Sequence, residues 1–203
     1  MLVFGNSITA GAGVADEEAF PARLQEKVDS LGWSARIIEA GVSGETTAGG
    51  LRRIEHVMRP GIDVLVLELG GNDGLRGTDP PTIRSNLQQI IDRARSINPE
   101  LRVLLTGIRM PPNMGPTYTE AFRQVYRDLA GANELVLIPR LLEGVGGRPE
   151  FMQSDGIHPN VRGHRHVADT VWEELGPILE GLGASAESTA RVILSRRTLE
   201  PAA

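Results

Sequence analysis

The stretch Val64-Leu65-Val66-Leu67-Glu68-Leu69-Gly70-Gly71-Asn72-Asp73-Gly74 decides how this chain folds. Residues 64–67 are continuously apolar, as expected of a strand buried on both faces, and such strands belong to parallel sheets covered by helices. The apolar run stops at Gly70, so residues 70–74 read as a loop at the strand's carboxyl end. Working outward, shorter aliphatic runs occur at 2–4, 35–39, 102–106 and 134–138. Segments of helical period separate them. In 20–31, Leu24, Val28 and Leu31 share a face; in 47–58, Leu51, Ile54 and Met58 do. Residues 82–97 carry the stripe Ile83, Leu87, Ile90, Ile91, Ala94 and Ile97, announced by Asp79-Pro80-Pro81 as a helix start. A weaker pattern covers 118–132, and 162–179 repeats Val167, Val171, Leu175 and Ile178.

This alternation predicts an α/β fold, a parallel sheet with helices on both faces. No internal repeat or linker interrupts it, so residues 1–183 are expected to form one domain. Residues 184–203 are expected to be a C-terminal extension, either a short helix or a disordered tail.

Composition narrows the function classes. The chain has 203 residues, a formal net charge of -5, 40% hydrophobic residues, 24 Gly, 13 Pro and only 4% aromatics, so aliphatic side chains must fill the core. Lys and Arg are scattered among Asp and Glu, with no basic stripe to follow a phosphate backbone, and nucleic acid is not an expected partner. With no cysteine there is no disulfide framework, thiolate nucleophile or Cys-ligated metal. No apolar run approaches the ~20 residues that span a bilayer, so no stable membrane insertion is expected. Without a basic n-region and apolar h-region, the sequence as written predicts a cytoplasmic protein, or a periplasmic or secreted one whose leader has been removed.

In open α/β sheets ligands bind beyond the carboxyl ends of the strands, and four loops there carry reactive groups. In Gly5-Asn6-Ser7-Ile8-Thr9-Ala10-Gly11-Ala12-Gly13, Ser7 is either a turn residue or a nucleophile. A phosphate loop is disfavoured, because no Lys-Ser or Lys-Thr follows and the dinucleotide spacing is absent. In Ala40-Gly41-Val42-Ser43-Gly44-Glu45-Thr46-Thr47, Thr46 or Thr47 is a candidate N-cap. A glycine N–H there can donate to an anion, although a plain strand–helix turn fits as well. Asn72 can offer its amide to an oxyanion, or simply belong to an Asn-Asp-Gly turn. In Ser154-Asp155-Gly156-Ile157-His158-Pro159-Asn160, Asp155 could orient a general base at His158; otherwise the two are a turn former and a surface histidine. His56, His164 and His166 read as solvent-facing or packing residues, and side chains at i,i+2 on a helix diverge too far for His164 and His166 to share a metal. Taken together, the loops supply a nucleophile, oxyanion donors and an Asp/His pair, the set of roles that acyl transfer requires.

These segments, in this order, resemble the four signature blocks of the SGNH (GDSL-like) hydrolases. The run from Leu67 to Gly77 is similar to the bacterial multifunctional acyl-CoA thioesterase/lysophospholipase/arylesterase branch. The resemblance spans roughly residues 1–180. It implies a flavodoxin-like three-layer α/β/α sandwich with a central parallel five-stranded sheet, acting on a small-molecule acyl ester without metal or other cofactor. By resemblance, Ser7 is the nucleophile, His158 the base and Asp155 its orienter. The oxyanion hole is then the N–H groups of Ser7 and Gly44 with the Asn72 amide. Residues 74–80 are then a mobile loop beside the acyl site, and Leu75, Ile108, Met110, Pro111 and Ile157 line the substrate groove.

One position departs from the family pattern: Asn6 stands where it usually has Asp. The change removes a negative charge beside Ser7 but keeps an amide oxygen able to accept a hydrogen bond, so activity is expected to survive. The expected activity is hydrolysis of short- to medium-chain carboxylic esters, extending to thioesters and lysophospholipids. The alternatives are a carbohydrate deacetylase on the same scaffold and a non-catalytic acyl-binding protein, in which Asn6 would mark an impaired site. The sequence carries no sign of oligomeric state.

Overall fold

Leu2–Gly5 (β1) is buried along its whole length, which requires cover on both faces of the sheet it belongs to. Ile38–Gly41 (β2), Val64–Glu68 (β3), Arg102–Thr106 (β4) and Val136–Ile138 (β5) complete that sheet. Its strand order is β2-β1-β3-β4-β5, and each neighbouring pair is parallel. The computed structural model describes residues 1–184. The helices are Phe20–Ser30 (α1), Thr47–Val57 (α2), Gly71–Leu75 (α3), Pro80–Ile97 (α4), Pro116–Asn133 (α5) and Val161–Gly181 (α6).

Side chains alternate across the strands, and the two faces build separate cores. Leu2, Phe4, Leu65, Leu67, Val103 and Leu105 pack with Ile54 of α2, Ile83, Leu87, Ile90 and Ile91 of α4, and Phe122 and Leu129 of α5. Val3, Val64, Val66, Leu104 and Ile138 pack with Leu24 and Val28 of α1 and Val167, Val171 and Leu175 of α6. The result is the three-layer α/β/α sandwich around a parallel five-stranded sheet. Helix starts follow local chemistry: Thr46 accepts from the Gly49 N–H, Asp79 from Thr82, and Asn160 from Arg162 and Gly163, each capping donors that have no partner inside the helix.

Three elements differ from expectation. Strand β2 begins at Ile38 rather than 35, since the sheet register starts with Leu2 opposite Ile38. Ahead of it the Gln25 side chain takes the backbone instead, accepting from the Ile37 N–H at 2.8 Å and donating to the Ala35 carbonyl at 3.3 Å. Strand β5 starts at Val136, because Glu134 sits at φ 54° as the C-cap of α5 and the Leu135 N–H still bonds back to Ala130. Residues 71–75, read as loop, form the short α3. It can start immediately after β3 because Gly70 adopts φ 111° in close contact with the Tyr126 hydroxyl, a conformation and a space that suit only glycine. The extension expected over 184–203 falls, apart from Ala184, outside the described residues.

Candidate active site

The sheet topology gathers three strand-end loops. Ser7 follows β1, Gly44 follows β2, and Asn72 follows β3 on α3. The loop entering α6 brings Asp155 and His158. That loop is closed by an isolated antiparallel bridge between Met152 and Pro159 and by the Gln153 N–H donating to the His158 carbonyl at 2.8 Å. The Gln153 amide ties it to the nucleophile loop through the Ala12 carbonyl, at 2.7 Å.

His158 Nε2 lies 2.9 Å from Ser7 Oγ, and its Nδ1 lies 2.6 Å from Asp155 Oδ2. The other Asp155 oxygen accepts the N–H groups of Ile157 (2.9 Å) and His158 (3.0 Å). The His158 ring contact first, and then these two N–H donors, hold the Asp155 carboxyl down at about 2. An ionised carboxylate can only accept, so the Nδ1–H of a neutral His158 points at Asp155 and Nε2 is left to accept from Ser7.

The expected oxyanion donors are the N–H groups of Ser7 and Gly44 and the Asn72 amide. No hydrogen bond within the described residues takes the backbone N–H of Ser7 or of Gly44. Asn72 Nδ2 donates one hydrogen to the Glu45 carbonyl at 2.9 Å, which aims the amide and leaves its second hydrogen free. Glu45 is in turn gripped by Arg53 of α2, whose guanidinium also bonds the Ala40 carbonyl and lies 4.2 Å over the Phe4 ring. Arg76 donates to the Gly44 carbonyl at 3.3 Å. Buried Asp73 accepts the Thr47 N–H (2.8 Å) and hydroxyl (2.6 Å), and so clamps α3 to the start of α2. The expected Thr46/Thr47 ambiguity thus divides into a cap and a clamp.

Leu75, Ile108, Met110, Pro111 and Ile157 all line one groove of about 510 Å³, with Gly71 and Gly156, the sequence neighbours of Asn72 and Asp155, and Arg109, Arg140 and Glu143 also in its walls. Leu75 and Ile157 are 45% and 50% exposed, large apolar side chains left in solvent at the groove's rim. Residues 76–79 are tied down by Tyr118, whose hydroxyl donates to the Thr78 carbonyl at 2.7 Å.

Of the remaining histidines, His56 and His166 are exposed, and His166 packs edge-on against Phe151 at 4.6 Å. His164 is buried, with its Nδ1 accepting the Phe20 N–H. Among the described residues no group of three or more His, Asp or Glu side chains could hold a metal ion, and no helix is long and apolar enough to cross a membrane.

Two residues of the site escaped the sequence reading. One is Asp73, hidden in what looks like a turn. The other is Glu68, which ends an apolar strand fully buried beneath the Ser7 loop; a charged residue inside a run expected to be buried on both faces was its only signal.

Comparison with known proteins gives a consistent picture. The chain matches the GDSL-like Lipase/Acylhydrolase family over residues 3–166. It is 41% identical over 182 residues to the esterase TesA of Pseudomonas aeruginosa, covering 88% of this chain and 89% of that protein. It is 37% identical over 180 residues to thioesterase 1/protease 1/lysophospholipase L1 of Escherichia coli, covering 88% of this chain and 84% of that one. The crystal structure of TesA superposes with a TM-score of 0.82 at 41% identity, over 87% of this chain and 97% of that one.

Proposed function

Since this chain belongs to the GDSL-like lipase/acylhydrolase family and is an esterase, we propose that it hydrolyses short- to medium-chain carboxylic esters through an acyl-enzyme on Ser7. The observation that carries this reading is the unbroken line Ser7 Oγ–His158–Asp155, at 2.9 Å and 2.6 Å. Ser7 Oγ attacks the acyl carbon while His158 Nε2 takes its proton, and Asp155 stabilises the imidazolium. The oxyanion is held by the N–H groups of Ser7 and Gly44 and the free amide hydrogen of Asn72. Collapse expels the alcohol, which receives the proton from His158. Water then attacks the acyl-enzyme, again giving a proton to His158, and the carboxylic acid leaves with Ser7 restored.

The acyl chain lies along Leu75, Ile108, Met110, Pro111 and Ile157, whose aliphatic lining favours an alkyl group over a sugar. Thioesters and lysophospholipids, named for the E. coli relative, are compatible with the same chemistry, because the groove is open at its rim. The test is hydrolysis of p-nitrophenyl esters from acetate to palmitate by the natural protein and Ser7→Ala. We expect a maximum at short to medium chains and a loss of roughly 10⁴-fold or more in the variant. Equal rates in the two proteins would remove Ser7 from the mechanism, and a maximum at palmitate would refute the chain-length assignment.

A further inference from the structure

Beneath the nucleophile lies a carboxylate that the mechanism above does not use. Glu68, at the end of β3, is fully buried, and burial pushes its carboxyl up to about 7 against the opposing pull of hydrogen bonds from Asn6 and Thr9. Its oxygens accept three donors from the Ser7 loop: the Asn6 N–H at 3.0 Å, Asn6 Nδ2 at 2.7 Å and the Thr9 hydroxyl at 2.9 Å.

A side-chain amide has two nearly isosteric orientations, and only its partners choose between them. With Nδ2 turned to Glu68, the Asn6 Oδ1 accepts the Ile8 N–H at 2.9 Å and lies 3.5 Å from Ser7 Oγ. The Ser7 hydroxyl then faces two acceptors, and the shorter contact, to His158 Nε2 at 2.9 Å, takes its proton in preference to Asn6 Oδ1. Turned over, the amide would present N–H groups to the Ile8 N–H and to Ser7 Oγ, leaving one donor unpaired and competing for the serine oxygen. An ionised carboxylate accepts only, so above the value of about 7 to which burial raises it Glu68 permits just the first orientation.

Resting on the esterase reading above, we propose that Glu68 is a positioning residue for Ser7, acting through the Asn6 carboxamide and the Thr9 hydroxyl. Its role is the direction of its hydrogen bonds, so it can be exchanged between partners. In Glu68→Gln the new amide must face at least one donor with a donor, or force Asn6 over. In the double variant Asn6→Asp/Glu68→Gln every bond is restored with the charge moved to position 6. There the amide at 68 donates to the carboxylate at 6, whose other oxygen keeps the Ile8 N–H. Asn6→Asp alone places two carboxyl groups 2.7 Å apart, which must share a proton.

The probe is a fluorophosphonate that phosphonylates Ser7, used with p-nitrophenyl butyrate hydrolysis at pH 8, where Glu68 is ionised. Labelling of the natural protein but not of Ser7→Ala shows the esterase reading sound independently of Glu68; absence of labelling in both would overturn that reading and this proposal with it. Given labelling, Glu68→Gln is expected to lower both kcat and the labelling rate about ten- to a hundredfold with KM within about twofold, and the double variant to recover most of the loss. Natural kcat in Glu68→Gln, or a double variant no better than Glu68→Gln, would overturn the proposal. Should Glu68→Gln not fold, Thr9→Val decides the matter, since it removes one donor without changing size. A kcat loss of about threefold or more at constant KM supports the proposal, and an unchanged kcat overturns it.

Discussion

Asp155 is exposed, yet its placement is tightly specified: one oxygen on the His158 ring, the other on two backbone N–H groups. Its folded-state value is depressed to about 2 from 3.8, so these contacts favour the folded site above the ordinary carboxylate range. That contribution is lost progressively as pH falls from about 3.8 to about 2, and acid loss of activity above that range belongs to other groups. Asp155→Asn keeps the shape but offers an NH₂ to Nδ1, which favours the tautomer whose Nε2 carries a proton and cannot take one from Ser7. Steady-state kinetics should show kcat lowered by about 10⁴-fold with KM little changed; a fall of less than tenfold would mean that Ser7 is activated without Asp155. At this scale Ser7, Asp155 and His158 were readable as candidates because each proposed role needs a particular functional group in a loop. Glu68 was not, since a lone carboxylate in an apolar run names no partner until the Ser7 loop is folded over it.

Short elements do the bracing. The Asp73 clamp holds α3, and with it Asn72, against the N-terminus of α2, while Asn86 of α4 donates to the same Thr47 hydroxyl at 3.0 Å. Asp73→Ala strips two donors of their acceptor in a buried place, at a cost of about 1–3 kcal/mol, and loosens the Asn72 amide proposed to hold the oxyanion. Thermal unfolding should fall by several degrees, and kcat should drop more than KM rises; an unchanged melting temperature and kcat would show that α3 holds its place without the clamp. Long helices with a clear apolar stripe, α4 above all, were legible nearly to the residue because packing against the sheet enforces their period. Helix α3 was not: five residues make little more than one turn, and Gly70-Gly71-Asn72-Asp73-Gly74 has no stripe and consists of three glycines, an Asn and an Asp, all poor helix formers. The start of β2 was missed for a related reason, since an apolar run does not say whether a strand or the Gln25 side chain will take its backbone.

For the molecule as a whole, two buried titratable groups pull stability in opposite directions with pH. Glu68 is raised from 4.5 to about 7, so between those values the folded state holds a proton that the unfolded chain has released, and stability falls as pH rises. Buried His164 is lowered from 6.5 to about 4, by burial first and by His158 next. There the unfolded chain holds the extra proton, and stability falls as pH drops. Between pH 4.5 and 6.5 the two trends offset each other, so the melting temperature of the natural protein should vary little. Glu68→Gln leaves the His164 trend alone, and its melting temperature should climb by about 4 °C or more across that window. His164→Gln should show the reverse slope extending to pH 7. Scanning calorimetry at half-unit pH steps would test this; parallel curves for all three proteins would refute it.

The order of strands and helices, the parallel sheet they imply and the chemical groups at its carboxyl edge were all present in the sequence, because hydrophobic period and loop composition are local properties. What the tertiary structure decided is which groups meet. Ser7 and His158 are 151 residues apart and come within bonding distance only because the sheet order places β1 in the interior, between β2 and β3, and α6 returns across that face. The carboxylates of Glu68 and Asp73 acquire their parts in the same way. A buried carboxylate is tolerated only where several donors converge, and each of these takes its donors from the end of a different strand or helix, a meeting that exists in the fold, not in the chain.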